Sequence, residues 1–289
     1  MKIGLSSYSL AAALQSGAMS PLAIPEWIAA RGGSHMEVVP IGFDVTDDLV
    51  DRLRERSDQS GVAISNYLIA ADFTKGTQAQ YEAEIERVLR EVDVASRLGV
   101  SRMRHDAAWR KPADATIAQF EADLPSLVTA CQRIADYAAP LGIVTTVENH
   151  GYFVQHSDRV LMLVQAVNRP NFRLTVDVGN FLCVDEDPVA ALQKCLPYAE
   201  MVHLKDFYVR YVRVSPGRGW FPSAGGYFLR GAMLGHGDVK LCDIAAVIEA
   251  SGYNGYVSVE FEGLEESRMG SEEGLKNALA LFGQEVKRA

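Results

Sequence analysis

An α/β fold, a single barrel of eight parallel strands each followed by a helix, is predicted from three observations. Short apolar runs rich in β-branched residues alternate strictly with longer amphipathic ones along the 289 residues. The strand-like runs read as apolar on both faces, which implies a parallel sheet covered by crossover helices. The alternation repeats eight times, the number of units that closes such a sheet into a (β/α)8, or TIM, barrel. No domain boundary or low-complexity stretch interrupts the pattern, so residues 1–289 are expected to form one domain.

In order, Ile3 to Ser7 reads as the first strand and Pro21 to Arg31 as the first helix, closed by Gly32-Gly33. Met36 to Val39 is the second strand. Thr46 caps a second helix whose Leu49, Val50 and Leu53 have helical spacing before Gly61. Val62 to Leu68, then a long helix from Gln78 to Leu98 stopped by Gly99, form the third unit. Val100 to His105 is followed by a helix from Thr116 to Ala139, ended by Pro140 and Gly142. Ile143 to Glu148 precedes a helix that begins at Ser157 or Asp158 and stops before Arg169-Pro170. Phe172 to Asp177 precedes a helix opened by Pro188, a residue suited to a first turn. Met201 to Leu204 with a helix over Asp238 to Ala250, and Gly255 to Phe261 with a helix over Glu272 to Val286, complete the count.

The formal net charge is −9, from 28 basic and 37 acidic residues, and no basic run offers a track for a phosphate backbone. Nucleic acid is therefore not expected as a partner. Cys131, Cys183, Cys195 and Cys242 form no C-x-x-C pair and read as reduced thiols, which suits a cytoplasmic location. Ser6, Ser7, Tyr8 and Ser9 break the apolar run near the amino terminus, which argues against a secretory signal. No run approaches a membrane span in length.

The functional signal lies where the strands end. Ile143-Val144-Thr145-Thr146-Val147 stops on Glu148, Leu174-Thr175-Val176 on Asp177, Met201-Val202 on His203, and Tyr256-Val257-Ser258-Val259 on Glu260. Burying a carboxylate without a partner costs several kcal/mol, about, so each such ending calls for a cation. In an eight-fold α/β barrel the carboxyl ends of the strands carry the functional groups, and these four residues share that end on four consecutive strands. Three carboxylates and one imidazole make an oxygen-rich set suited to one divalent cation, Mn²⁺ or Mg²⁺ first, with Co²⁺ or Zn²⁺ as alternatives.

Glu148 in V-E-N-H, Asp177 in D-V-G-N, His203 in H-L-K-D, the L-G-H-G-D-V stretch at 234–239 and Glu260 in V-E-F together resemble the xylose isomerase-like barrels. Within these the chain looks most like the sugar phosphate isomerase/epimerase group, which includes ketose 3-epimerases and inosose dehydratases. The resemblance implies a metal set of Glu148, Asp177, His203 and Glu260, with Glu148 and Glu260 also acting as acid and base. Two departures stand out: Asn180 where the group often has His, and His236 where it often has Glu. A DNA-repair branch shares this barrel, but it needs a multi-zinc site richer in histidine than the six His here provide.

The chemistry follows from the residues as well. A cation chelating a carbonyl and a neighbouring hydroxyl stabilises the enediolate left when a carboxylate removes the proton between them. Return of the proton to the other face gives epimerisation, and return to the neighbouring carbon gives isomerisation. Expulsion of a group beta to the carbonyl makes the same site a lyase. The expected function is thus a divalent-metal-dependent isomerase/epimerase of a sugar or keto-polyol. The alternative is a lyase, an inosose-type dehydratase or a 3-keto-glycoside eliminating enzyme.

Around this core, His150 stands two residues past Glu148 and reads as a substrate contact, a proton shuttle or a satisfied loop histidine. His105 ends the fourth strand near Trp109, where both can line the same mouth. Lys205 can hold a substrate oxygen or pair with Asp206, and His236 sits in a glycine-flanked turn near the site. Tyr8, Asp72, Phe73 and Lys75 are expected in the pocket wall. Residues 206–237 form an insertion between the seventh strand and its helix, far longer than such loops usually are. Phe207 to Val214 alternates at strand period and Pro216-Gly217 turns it back, which suggests a flap over the mouth. Its Arg210, Arg213, Arg218 and Arg230 can bind an anionic group, and its aromatic residues can stack on a sugar or an aglycone. The same residues suit a dimer-forming arm, so a homo-oligomer acting on a small-molecule sugar is the expected assembly.

Overall fold

A computed structural model describes residues 1–74 and 76–283. Lys75 and the end of the last expected helix, to Val286, lie outside the described residues.

Eight strands close into a parallel barrel: β1 (Lys2–Ser6), β2 (His35–Val38), β3 (Ala63–Ile69), β4 (Arg102–His105), β5 (Val144–Glu148), β6 (Phe172–Asp177), β7 (Ala199–Leu204) and β11 (Tyr256–Val259). β11 returns to pair with β1, Lys2 opposite Tyr256 and Leu5 opposite Val259, so no edge is left open. Three strands in the insertion, β8 (Asp206–Arg210), β9 (Phe221–Pro222) and β10 (Phe228–Ala232), form a separate antiparallel sheet in the order β8-β10-β9.

The helices obey their sequence signals closely. α3 (Asp47–Ser60) is capped by the Thr46 hydroxyl, which accepts from the Leu49 N–H, and ends at Gly61 with φ 70°. α4 (Gln78–Leu98) opens on a reciprocal Thr77–Gln80 capping box. α5 (Ile117–Ala138), α6 (Ser157–Val167), α7 (Pro188–Cys195) and α8 (Leu241–Ala250) follow strands β4 to β7.

Four details differ from expectation. The first helix is shorter, because a 3₁₀ turn at Pro21–Ala23 precedes α2 (Ile24–Ala30). A short α1 (Ala11–Gln15), preceded by a 3₁₀ turn at Ser7–Leu10, fills the link after β1. The last helix, α9 (Ser267–Leu281), starts five residues early, at a cap where Glu266 accepts from the Met269 N–H. Gly270 in its first turn resembles a helix breaker in sequence, but a Cβ there would meet the Phe261 ring at 2.4 Å, so close packing demands glycine. In the insertion, strand geometry stops at Arg210 rather than continuing to Val214.

The largest correction concerns the barrel interior, which is polar rather than apolar. His203 on β7 meets Glu37 on β2 across the lumen, the Asn66 amide donates to Glu37 at 2.8 Å, and Thr146 and Thr175 share a 2.8 Å hydrogen bond. The apolar side chains of the same strands, such as Leu174, Val176, Val202 and Val257, face the helices and are fully buried there. The hydrophobic core is therefore the layer between sheet and helices, and the lumen is free to hold charge.

Asp206 ties the insertion down. Its carboxylate accepts from the backbone N–H groups of Phe207, Gly235 and Gly237 at 2.9 Å and of Val239 at 3.1 Å, gathering both ends of the loop. The small sheet then rests on the loops after β5, β6 and β11. The Tyr152 hydroxyl donates to Pro222 O at 3.0 Å, Ala224 N–H to Cys183 O at 2.8 Å, and Gly231 packs against Glu262 and Gly263.

Candidate metal centre

Register brings the strand ends together. Asp177 pairs with His203 across β6–β7, and His203 with Ser258 across β7–β11, so Glu260, two residues on, emerges on the same side. Glu148 stands opposite Thr175, one inward position below Asp177. One ligand atom from each of Glu148, Asp177, His203 and Glu260 can be chosen so that all four lie within 4.8 Å of one another, and all four residues are buried. Opposed oxygens around an octahedral ion held at ~2.1 Å stand about 4.2 Å apart, so small side-chain adjustments suffice.

The imidazole is placed as a metal-ligating one would be. His203 Nε2 lies 3.0 and 3.2 Å from the two oxygens of Glu37. Its Nδ1 is buried and makes no hydrogen bond, with Glu260 Oε1 at 3.5 Å and Glu148 Oε2 at 3.8 Å. A carboxylate fixing one ring nitrogen while the other faces a carboxylate nest is the usual support for a metal-ligating histidine. Charge supports the same reading. Glu37, Glu148, Asp177 and Glu260 gather around Arg104 and Lys205, which also face Asp106 at 3.5 Å and Glu262 at 3.6 Å, so carboxylates outnumber the permanent cations and a divalent ion would offset part of the excess.

Burial and charge shift the members of the cluster. Burial disfavours a charged His203, yet Glu37 first, then Glu260 and Glu148, raise its pKa to about 10. Burial, reinforced by Glu148 and Glu260, outweighs Lys205 and lifts Asp177 to about 6. Burial also opposes ionisation of Glu260, but His203, Lys205 and Arg104 hold it at about 2.

Each metal-set carboxylate has a cationic or amide guide. Arg104 Nε donates to Glu148 Oε2 at 2.7 Å, and the Asn180 amide to Oε1 at 3.0 Å. Lys205 Nζ lies 3.0 Å from Asp177 Oδ2 and 3.1 Å from Glu260 Oε2, and it also bonds Asn180 Oδ1 at 3.2 Å. Asn149 exchanges hydrogen bonds of 2.8 Å with the Asp177 backbone in both directions. Glu262 accepts from the Tyr8 hydroxyl at 3.3 Å and stands 3.6 Å from Lys205.

The surrounding residues divide. His150 and Trp109 line a cavity of about 700 Å³, and His150 Nδ1 is 3.2 Å from Asp106 Oδ1. Tyr8 and Asp72 line it too. Lys205 enters the cluster itself and pairs with Asp177 and Glu260, not with Asp206. His105 is a correction: side chains alternate along β4, Arg104 points into the lumen, and His105 is therefore fully buried on the opposite face, bonded to Asp106 O and packed between Phe73 and Phe172. Arg210 is a second correction, because its side chain is half exposed, faces Asp238 at 3.5 Å and stacks on Trp220. His236 is exposed in the turn before α8, whereas the cluster is buried. Arg230 likewise covers Tyr208 and Trp220, so arginines and aromatics of the insertion satisfy one another.

Glu37, Asn66 and Arg104 escaped sequence reasoning. A signal was present in Met36-Glu37-Val38, a charge centred in an apolar run, and in the alternation Arg102-Met103-Arg104-His105.

Fold and site together define an α/β barrel with a four-residue candidate metal centre at the carboxyl ends of β5, β6, β7 and β11. Residues 25–283 match the model of the xylose isomerase-like TIM barrel family, and the chain belongs to that family. No curated protein sequence matches it. Solved structures share the fold. A D-allulose 3-epimerase from Methylomonas sp. has a TM-score of 0.71 at 19% identity, over 97% of this chain and 98% of the other. A probable 3-DHS dehydratase, AsbF, from Bacillus anthracis has 0.73 at 17%, over 96% and 98%. A xylose isomerase-like TIM barrel protein from Mycobacterium smegmatis, in complex with magnesium, has 0.68 at 17%, over 97% and 96%.

Proposed function

We propose that this chain is a divalent-metal-dependent isomerase or epimerase of a sugar or keto-polyol, acting by proton abstraction next to a carbonyl. The observation that carries the reading is the orphaned Nδ1 of His203 inside a nest of three carboxylates. Glu148, Asp177, His203 and Glu260 hold the ion, with Mn²⁺ or Mg²⁺ favoured by the oxygen-rich set. A bound divalent cation supplies positive charge that stabilises an enediolate.

The remaining work belongs to the side chains. Glu148 and Glu260 are the acid and base, one taking the substrate's carbon-bound proton and the other returning one. Arg104 and Asn180 fix both oxygens of Glu148, so its carboxylate stays oriented while the proton moves. Lys205 holds one oxygen of Glu260, Oε2, and can donate to a substrate oxygen. His150, half exposed and backed by Asp106, contacts substrate hydroxyls from the cavity side. The insertion at 206–237, which rests on the loops after β5, β6 and β11, suits a flap over the mouth and also contact with a second copy of the chain. Among the described residues no helix is long and apolar enough to cross a membrane. The cytoplasmic location read from the sequence rests on the four cysteines, which are unpaired.

A lyase is the second reading, favoured by the His150–Asp106 pair: Asp106 outweighs burial and raises the imidazole pKa, which suits it to protonate a departing group.

Solvent hydrogen exchange separates the readings. The Mn²⁺-loaded protein, incubated in D₂O with a panel of ketoses and keto-polyols, is expected to place deuterium next to the carbonyl without loss of a group. A chelator stops the exchange. Release of water or an aglycone supports the lyase, and absence of both reactions across the panel counts against both.

A further inference from the structure

The cavity of about 700 Å³ is far larger than a free monosaccharide fills and lies in the range of pockets that enclose drug-sized ligands. It adjoins the candidate centre, because Arg104, which donates to Glu148 at 2.7 Å, and His150, two residues past Glu148, are among its walls. Its polar groups are segregated. Arg104, Asp106, His150 and Tyr8 gather at the end next to the cluster. Val39, Ile41, Ile69, Ala71, Ala108 and Trp109, from the end of β3 and the loops after β2, β3 and β4, give it an apolar wall beside the single carboxylate of Asp72. At the far rim Glu84 and Arg87 pair with each other at 2.8 Å, and Arg87 also donates to Ala70 O, so these charges are occupied by protein partners. Glu91 at that rim receives the Tyr67 hydroxyl at 2.6 Å.

A polyol ring alone would leave this apolar wall wet, since every hydroxyl it carries needs a polar partner and the six apolar side chains supply none. We propose that the cavity receives an apolar group attached to the substrate, so that the substrate is a conjugate of a polyol ring with an aryl or alkyl aglycone. This rests on the reading of the centre as the site that grips the polyol. The ring sits against Arg104, Asp106 and His150, and the appended group lies between Ile41 and Trp109. Trp109, 44% exposed at this wall, supplies the aromatic face on which an aryl group stacks.

Calorimetric titration of the Mn²⁺-loaded protein with methyl and phenyl β-D-glucopyranoside tests the proposal. The phenyl glycoside is expected to bind at least about tenfold more tightly. The advantage is expected to fall below about threefold in Ile41→Asn and in Trp109→Ala, two partly exposed positions whose folding is checked by circular dichroism. Equal affinity for the two glycosides, an advantage that survives both substitutions, or binding of neither at millimolar concentration overturns it. The ketose exchange assay keeps the two levels apart. Aryl discrimination without exchange on any ketose upholds the cavity and rejects the catalytic reading. Exchange without aryl discrimination does the reverse.

Discussion

Glu148→Gln and Glu260→Gln are each expected to lower the rate of carbon-bound hydrogen exchange by about a thousandfold or more, while the protein stays folded. The size follows from combining two losses, a general acid or base worth ~10²–10⁴ and one negative charge at the cation. Both substitutions keep shape and volume, so the surrounding packing survives. Their side effects differ, because Glu148 is gripped by Arg104 and Asn180 whereas Glu260 faces Lys205 and the Nδ1 of His203. Glu148→Gln leaves Arg104 with an amide in place of its 2.7 Å carboxylate partner, and a thermal melt reports that cost separately from the exchange rate. A variant that keeps more than about a tenth of the wild-type rate would show that its glutamate is not an acid or base.

Glu37→Gln carries the second large effect, at a residue that touches no substrate. Glu37 is fully buried, accepts from Asn66 and holds the Nε2 side of His203. Losing its charge weakens the orientation and basicity of the imidazole, and such supporting partners are typically worth ~10–100-fold in metal affinity. Titration with Mn²⁺ is expected to show that loss, with catalysis restored at saturating metal. Glu37 is also the leading attraction that raises His203 to about 10. That shift stabilises the metal-free fold fully below the ordinary imidazole pKa, and the stability is lost as pH rises through about 10. The metal-free variant is expected to lose much of this alkaline sensitivity. Unchanged affinity together with an unchanged pH profile would reduce Glu37 to a buried structural charge.

The cluster of Glu148, Asp177, His203 and Glu260 was legible in the sequence because each member breaks a local rule. Glu148, Asp177, His203 and Glu260 put charge or an imidazole at the end of a β-branched run, and the strict βα rhythm places those ends on one rim. The partners that tune the set were not legible, because they sit inside strands. Glu37 and Arg104 look like outward-facing charges until barrel closure makes their face the lumen. His105 failed for the same reason in reverse: one step along β4 separates the lumen from the helix layer, and strand-end position alone does not give the side. The insertion was legible as an insertion, but its arginines and aromatics found partners within the small sheet, such as Arg210 and Arg230 on Trp220. Gly270 hid the first turn of α9 because its role, making room for Phe261, is tertiary.

The most direct test of the central claim is a calorimetric titration of the metal-free protein with Mn²⁺ near pH 7.5 in two buffers of different ionisation enthalpy. One ion is expected to bind per chain with release of about one proton, mainly from His203, and Asp177→Ala is expected to abolish the stoichiometric step. Binding of no ion, or binding that Asp177→Ala leaves unchanged, would contradict the account.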